Sequence, residues 1–209
     1  MTMIEQLISK YPDLEPCAAD IQAAFEILRD CYRRGGKVLT CGNGGSAADA
    51  EHIAGELMKG YLLKRPISNE MRLKLTDTVP ENELYLSGAL QGALPAISLV
   101  SQTSLISAIA NDTAADMVFA QQVYGYGQAG DVLLGLSTSG NARNVLHAMQ
   151  VARALGMRTI VLSGRTGGML KPVCEVCIRV PADSTPAIQE RHLPIYHTLC
   201  AMLEEEFFV

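Results

Sequence analysis

The stretch Cys41–Glu56, CGNGGSAADAEHIAGE, constrains this chain more than any other. It follows Lys37–Thr40, a short apolar run that reads as a buried strand, and passes directly into an Ala-rich segment of helical period. Strand, glycine turn and helix together form an anion-binding arrangement. Gly42, Gly44 and Gly45 let the backbone turn sharply and leave the first N–H groups of the helix facing the turn. Ser46 stands where an N-cap belongs, and Asp49 three residues on completes a capping-box pattern. His52 and Glu56 are spaced i, i+4 and share a helix face. The glycine spacing is neither that of a dinucleotide fold nor that of an NTPase phosphate loop. On these residues alone, a bound phosphate or sugar and a simple solvated His–Glu pair are both open readings.

With 209 residues, 48% of them hydrophobic, the chain can bury one large core and is expected to form a single domain over 1–209. A net charge of -5 gives no electrostatic footprint for nucleic acid, so no nucleic-acid partner is expected. No apolar run reaches membrane-spanning length, and the N-terminus MTMIEQ lacks a basic region before a hydrophobic stretch. No membrane partner and a cytoplasmic location follow as expectations. Six scattered cysteines do not make a disulfide scaffold, and Cys174 with Cys177 is a lone C-x-x-C, weak as a zinc signal.

In chain order, residues 1–34 read as a helical arm, broken near Tyr11 and Pro12 and ending at Arg33, Arg34 and Gly35. Its apolar stripe has no evident place in a doubly wound core, which predicts burial against another subunit. Residues 64–94 read as a surface insertion with its own small apolar cluster. From Pro95 strands and helices alternate: strands at Ala96–Val100, Val132–Leu136, Thr159–Leu162 and Cys177–Val180, and a last helix over Gln189–Phe208. Such alternation predicts a parallel sheet covered on both faces.

A second strand-to-helix turn, Ser137-Thr138-Ser139-Gly140-Asn141, stands at a position equivalent to the first. Loops at the carboxyl ends of parallel strands line the ligand crevice. Three hydroxyls beside a glycine exceed what helix capping needs and suit the oxygens of a phosphate monoester.

Cys41–Ser46, Asn111 with Asp112, Gly130–Leu134, Ser137–Asn141, and Ile188–Glu190 with His197 together resemble the sugar isomerase (SIS) family, in its phosphoheptose isomerase branch. The resemblance implies an α/β fold with a five-stranded parallel sheet flanked by helices, a homotetramer, and active sites shared between subunits. It implies aldose–ketose isomerisation of a sugar phosphate, sedoheptulose 7-phosphate to D-glycero-D-manno-heptose 7-phosphate. Ser137, Thr138 and Ser139 would hold the phosphate, and Asn43, Gly44, Gly45, Ser46, Asn111 and Asp112 would contact the sugar. A metal and acid/base cluster carries over to His52, Glu56, Gln189 and His197, with one zinc ion per subunit. Glu56 is then the expected base and His197 the expected acid, both also touching substrate or metal, although a carboxylate bound tightly to zinc is a poorer base.

The chain departs from the family pattern at Ala142, where a serine is usual and only backbone can contact phosphate, and at Pro186, where some members carry an acid. Pro194 removes a backbone hydrogen bond between Gln189 and His197 and predicts a kink there. Two alternatives follow: an isomerase of another sugar phosphate, and a noncatalytic sugar-phosphate-binding regulator. Retention of Glu56, Gln189 and His197 weighs against the second.

Overall fold

The computed structural model describes residues 1–209. Helix α1 spans Met3–Lys10, followed by a 3-10 turn over Pro12–Cys17 and by α2, Ala18–Arg33. Strand β1 (Val38–Cys41) leads into α3 (Gly45–Met58), then α4 (Asn69–Thr78) and α5 (Glu83–Ala89). Next come β2 (Ala96–Ser98), α6 (Thr103–Asp112), α7 (Val118–Tyr126), β3 (Val132–Ser137) and α8 (Arg143–Ala154). Strands β4 (Arg158–Ser163) and β5 (Val176–Arg179) precede α9, Thr185–Phe208. No helix is long and apolar enough to cross a membrane.

All strand pairs are parallel, in the order β2-β1-β3-β4-β5. Successive side chains of a strand point to opposite faces, and the core divides accordingly. Val38, Val132, Leu134, Leu136, Ile160 and Leu162 pack with residues of α2 and α9. Leu39, Leu133 and Val161 pack with residues of α7 and α8 on the other face. Strand β3, buried along its whole length, reads as a continuous apolar run because both its faces are covered. Chain order reverses between β1 and β3, and a sheet of this order opens its ligand crevice at that point.

The N-terminal helices overturn one expectation. Leu7, Leu14, Ile21, Leu28 and Tyr32 belong to the larger core of their own chain, alongside Leu199 and Leu203 of α9. The apolar stripe is therefore covered without a partner: α2 is one of the helices closing the sheet. Residues 64–94 also differ from expectation. They form two short helices, but Leu75 is the one buried residue of α4 and α5 has none, so there is no separate apolar cluster. Pro194 does not interrupt α9 either. The Thr198 hydroxyl donates to the Pro194 carbonyl at 2.8 Å, and Pro186, in the first turn, lacks an N–H where none is needed.

Candidate functional site

The site lies at the carboxyl ends of β1 and β3. Gly44, at φ 56°, is the N-cap of α3, and Gly45 is its first residue. Ser46 is therefore not the cap: it lies one residue inside the helix, buried, and no side chain caps this end. A Cβ on Gly45 would stand 2.4 Å from Nε2 of Gln189, so glycine there lets α9 approach the start of α3. Gln189 thus reaches the glycine turn directly.

In the second turn, Ser137 ends β3 and is buried, Thr138 is half-buried and Ser139 exposed. The Ser137 carbonyl accepts from Gly140 N and from the Ser163 hydroxyl, the latter at 2.7 Å. Gly140, at φ 67°, packs against the carbonyl of Gly167, where a Cβ would stand 2.1 Å from that oxygen. The turn is held from behind: Leu170 N donates to the Gly140 carbonyl, and Met169 N to Oδ1 of Asn141. Ala142 is the N-cap of α8 and offers no side-chain cap, so the helix start presents backbone groups alone.

The two turns are tied together by a residue that sequence reading passed over. Asn43 donates to Asn144 Oδ1 at 2.9 Å, and Asn144 donates back to Asn43 Oδ1 at 2.8 Å. Asn144 Oδ1 also accepts from Val145 N in the first turn of α8. Its sequence signal was only its place three residues after the Ser137–Asn141 turn. Asn111 and Asp112, by contrast, end α6, where they are exposed and Asn111 donates to Asp112 at 2.8 Å. No hydrogen bond joins either to the turns.

Helices α3 and α9 bring His52, Glu56 and His197 together. Nε2 of His52 lies 3.1 Å from Glu56 Oε1 and 3.5 Å from His197 Nε2. Behind them stands buried Tyr196, whose hydroxyl donates to Asp49 Oδ1 at 3.1 Å and lies 3.0 Å from Nδ1 of His52. Tyr196 has one proton to give. With that proton donated in a hydrogen bond to Asp49, the phenol oxygen accepts from Nδ1–H of His52, and the lone pair of His52 is left on Nε2, facing Glu56 and His197. Burial, and then Asp49, push the Tyr196 phenol up, so it remains protonated. Burial also raises the Asp49 carboxyl, against the Tyr196 hydrogen bond and His52, and Asp49 Oδ2 is buried without a partner. The His197 imidazole is held below its ordinary value by burial and by His52, with Glu56 opposing.

No group of three or more His, Cys, Asp or Glu side chains is disposed as a ready metal cage. The donor chemistry nevertheless fits a cation. A lone pair, a carboxylate oxygen and a second imidazole nitrogen converge with few protons between them, and His52 is oriented from behind through its other nitrogen, as metal-ligating histidines are. Of the four residues expected at a metal, three meet here, and Gln189 stands two turns along α9 against Gly45.

The cluster lies on an open face. His52 keeps 42% of its side-chain surface exposed, and the larger hollows lie elsewhere: about 620 Å³ beside the N-terminus and about 770 Å³ between Gly60–Pro66 and Ser87–Gln91. A small hollow of about 240 Å³ beside His197 is lined by Lys10, Tyr11 and Glu190. The convergence of His52, Glu56 and His197, with Gln189 against the glycine turn, marks the candidate site better than hollow size does.

A family profile described as the SIS domain matches residues 7–91 and 89–164. The phosphoheptose isomerase of Akkermansia muciniphila is 39% identical over 202 residues, covering 97% of this chain and 93% of its own. That of Campylobacter jejuni is 42% identical, covering 90% and 87%. Among solved structures, a phosphoheptose isomerase from Francisella tularensis superposes with a TM-score of 0.72 at 30% identity, covering 98% of this chain and 100% of that one. Phosphoheptose isomerase GmhA from Neisseria gonorrhoeae gives 0.70 at 32%, covering 97% and 99%. The sheet order, the two strand-to-helix turns and these relatives agree, and the chain belongs to the phosphoheptose isomerase family of SIS-domain proteins.

Proposed function

We propose that this chain interconverts sedoheptulose 7-phosphate and D-glycero-D-manno-heptose 7-phosphate by proton transfer between C1 and C2. The observation that carries the reading is one arrangement: two anion-binding turns, joined through Asn43 and Asn144, beside the His52–Glu56–His197 cluster. The phosphate seats on Ser137, Thr138, Ser139 and the backbone at Ala142, and the sugar chain runs past Asn43, Gly44 and Gly45 toward the cluster. Glu56 takes the proton from C1 of the ketose, and electrons flow toward the C2 carbonyl oxygen, which receives a proton from His197. The resulting enediol loses the proton of its C1 hydroxyl, C2 is reprotonated, and the aldose forms.

Zinc held by His52, Glu56, Gln189 and His197 would act as a Lewis acid on the carbonyl. Support comes from the donor set and from the Asp49–Tyr196 pair that orients His52. A homotetramer is also part of this reading. Its support is no longer the N-terminal arm but the open face of the cluster and the exposed side chains of Leu73, Leu84 and Tyr85. Cytoplasmic location accords with six unpaired cysteines, four of them buried.

The test is exchange: purified, zinc-replete enzyme with the ketose phosphate in heavy water should place deuterium at the exchanging carbon and yield the aldose. Absence of both rejects the reading, and turnover of a pentose or hexose phosphate in preference would change the substrate. Metal analysis and light scattering on the same sample check one zinc per subunit and four subunits.

A further inference from the structure

We infer that Arg65 and Glu204 are positioning residues, a buried strut that sets α3 against α9 and thereby Glu56 against His197. Both side chains are removed from solvent, each residue 1% exposed. Arg65 Nε donates to Glu204 Oε1 at 2.7 Å, Nη1 to the Leu57 carbonyl at 2.8 Å, and Nη2 to the Glu56 carbonyl at 3.1 Å. Glu204 accepts in addition from the backbone N–H groups of Tyr61, Leu62 and Leu63 at 2.8, 2.7 and 2.9 Å. The guanidinium also lies over the ring of Phe208, 4.8 Å from its centroid.

Glu56 and Leu57 lie in the last turn of α3, whose carbonyls have no donor within the helix. Arg65 supplies donors to both, and its charge suits the negative end of the helix. Its third bond fixes that end to Glu204, seven residues beyond His197 and so on the same face of α9. The carbonyl of the expected base is thus linked through one side chain to the helix that carries the expected acid. Burial alone disfavours charge on Glu204, but the Tyr61 N–H, Arg65 and the Leu62 N–H outweigh it and hold the carboxyl below its ordinary range.

A buried ion pair of this kind adds little net stability over an apolar pair of the same shape. What an apolar pair lacks is direction. Six hydrogen bonds among Arg65, Glu204, α3 and the following loop define the position of the Glu56 backbone in a way packing alone would not.

The inference rests on the proposed roles of Glu56 and His197, and the test separates the two. Full-length zinc-replete Arg65→Lys and Glu204→Gln are compared with Met149→Ala, which opens a cavity in the core on the opposite face of the sheet. At a temperature well below every melting midpoint, the strut variants should lose about tenfold or more in kcat. KM should stay within about threefold and the Met149 variant within about twofold of the parent. Histidine-selective nitrogen NMR gives a second readout, since the chain has four histidines. The His52 and His197 signals should move in Arg65→Lys, while that of His147, paired with Asp116 in another region, should not. Folded strut variants that keep kcat within about twofold, or lose it only as Met149→Ala does, overturn the inference. A parent enzyme without exchange activity removes the functional reading instead; unmoved His52 and His197 signals would then refute the strut independently. Should Arg65→Lys fail to fold, the near-isosteric Glu204→Gln carries both measurements.

Discussion

The carboxamides of Asn43 and Asn144, 101 residues apart in the chain, hydrogen-bond to each other in both directions. This pair closes the gap between the turn after β1 and the turn after β3, and it holds Asn43 where a sugar would pass. Asn144→Ala removes both bonds and frees Asn43. KM for the heptose phosphate should rise about tenfold, with a melting midpoint only a few degrees lower. An unchanged KM in steady-state assays would show that the pair is structural only.

Gly45 is required by contact with Gln189 rather than by its own backbone conformation. An added methyl would meet the flexible end of Gln189, which can swing away, and alanine is the better helix former. Gly45→Ala should therefore melt within about 2 °C of the parent while kcat falls about tenfold or more. Thermal scans and zinc titration of the same preparation distinguish a displaced Gln189 from a damaged fold.

Glu56→Gln and His197→Asn test the proposed base and acid directly. Each should reduce solvent deuterium exchange by about 10² to 10⁴. Protection of the fold by inorganic phosphate should persist, because the Ser137–Asn141 turn is untouched. Full exchange in Glu56→Gln would remove the carboxylate from the reaction.

His192 provides a pH prediction away from the reacting groups. It is fully buried and neither ring nitrogen has a side-chain hydrogen-bond partner. Burial, against a smaller pull from the Ser163 backbone, lowers its pKa from 6.5 to about 4. The unfolded chain therefore binds this proton more tightly than the folded one. The stabilising contribution is complete above about pH 6.5 and is lost as pH falls toward 4, on the order of 3 kcal/mol in all. Denaturant melts between pH 7 and 4.5 should show this slope in the parent and a flatter one in a folded His192→Phe variant. Equal slopes would place the acid sensitivity elsewhere.

Much of the architecture was legible because its signals are local. Apolar runs such as Val132–Leu136, the glycine turn before α3, and the amphipathic period of α8 each express themselves within a strand or a few helical turns. The His52–Glu56 pair is likewise a consequence of helical spacing, realised at 3.1 Å. Family resemblance added Gln189 and His197, which no period within α9 would have selected over His192.

The remaining features depend on which surfaces meet, and no local pattern states that. The stripe on α1 and α2 was correctly amphipathic, yet only the packed chain shows it closing its own sheet rather than a neighbour's. Ser46 has the right type for a cap, but the helix starts two residues earlier than a Ser46 cap would place it, with Gly44 as its N-cap. Asn43 with Asn144, His52 with Tyr196, and Arg65 with Glu204 join residues 101, 144 and 139 apart. The sequence by itself determined the strands, the turns and the chemistry available on each helix. Only the tertiary structure decided the pairings, because a hydrogen bond between distant segments exists once sheet order and helix packing have brought them within about 3 Å, and those are properties of the whole core.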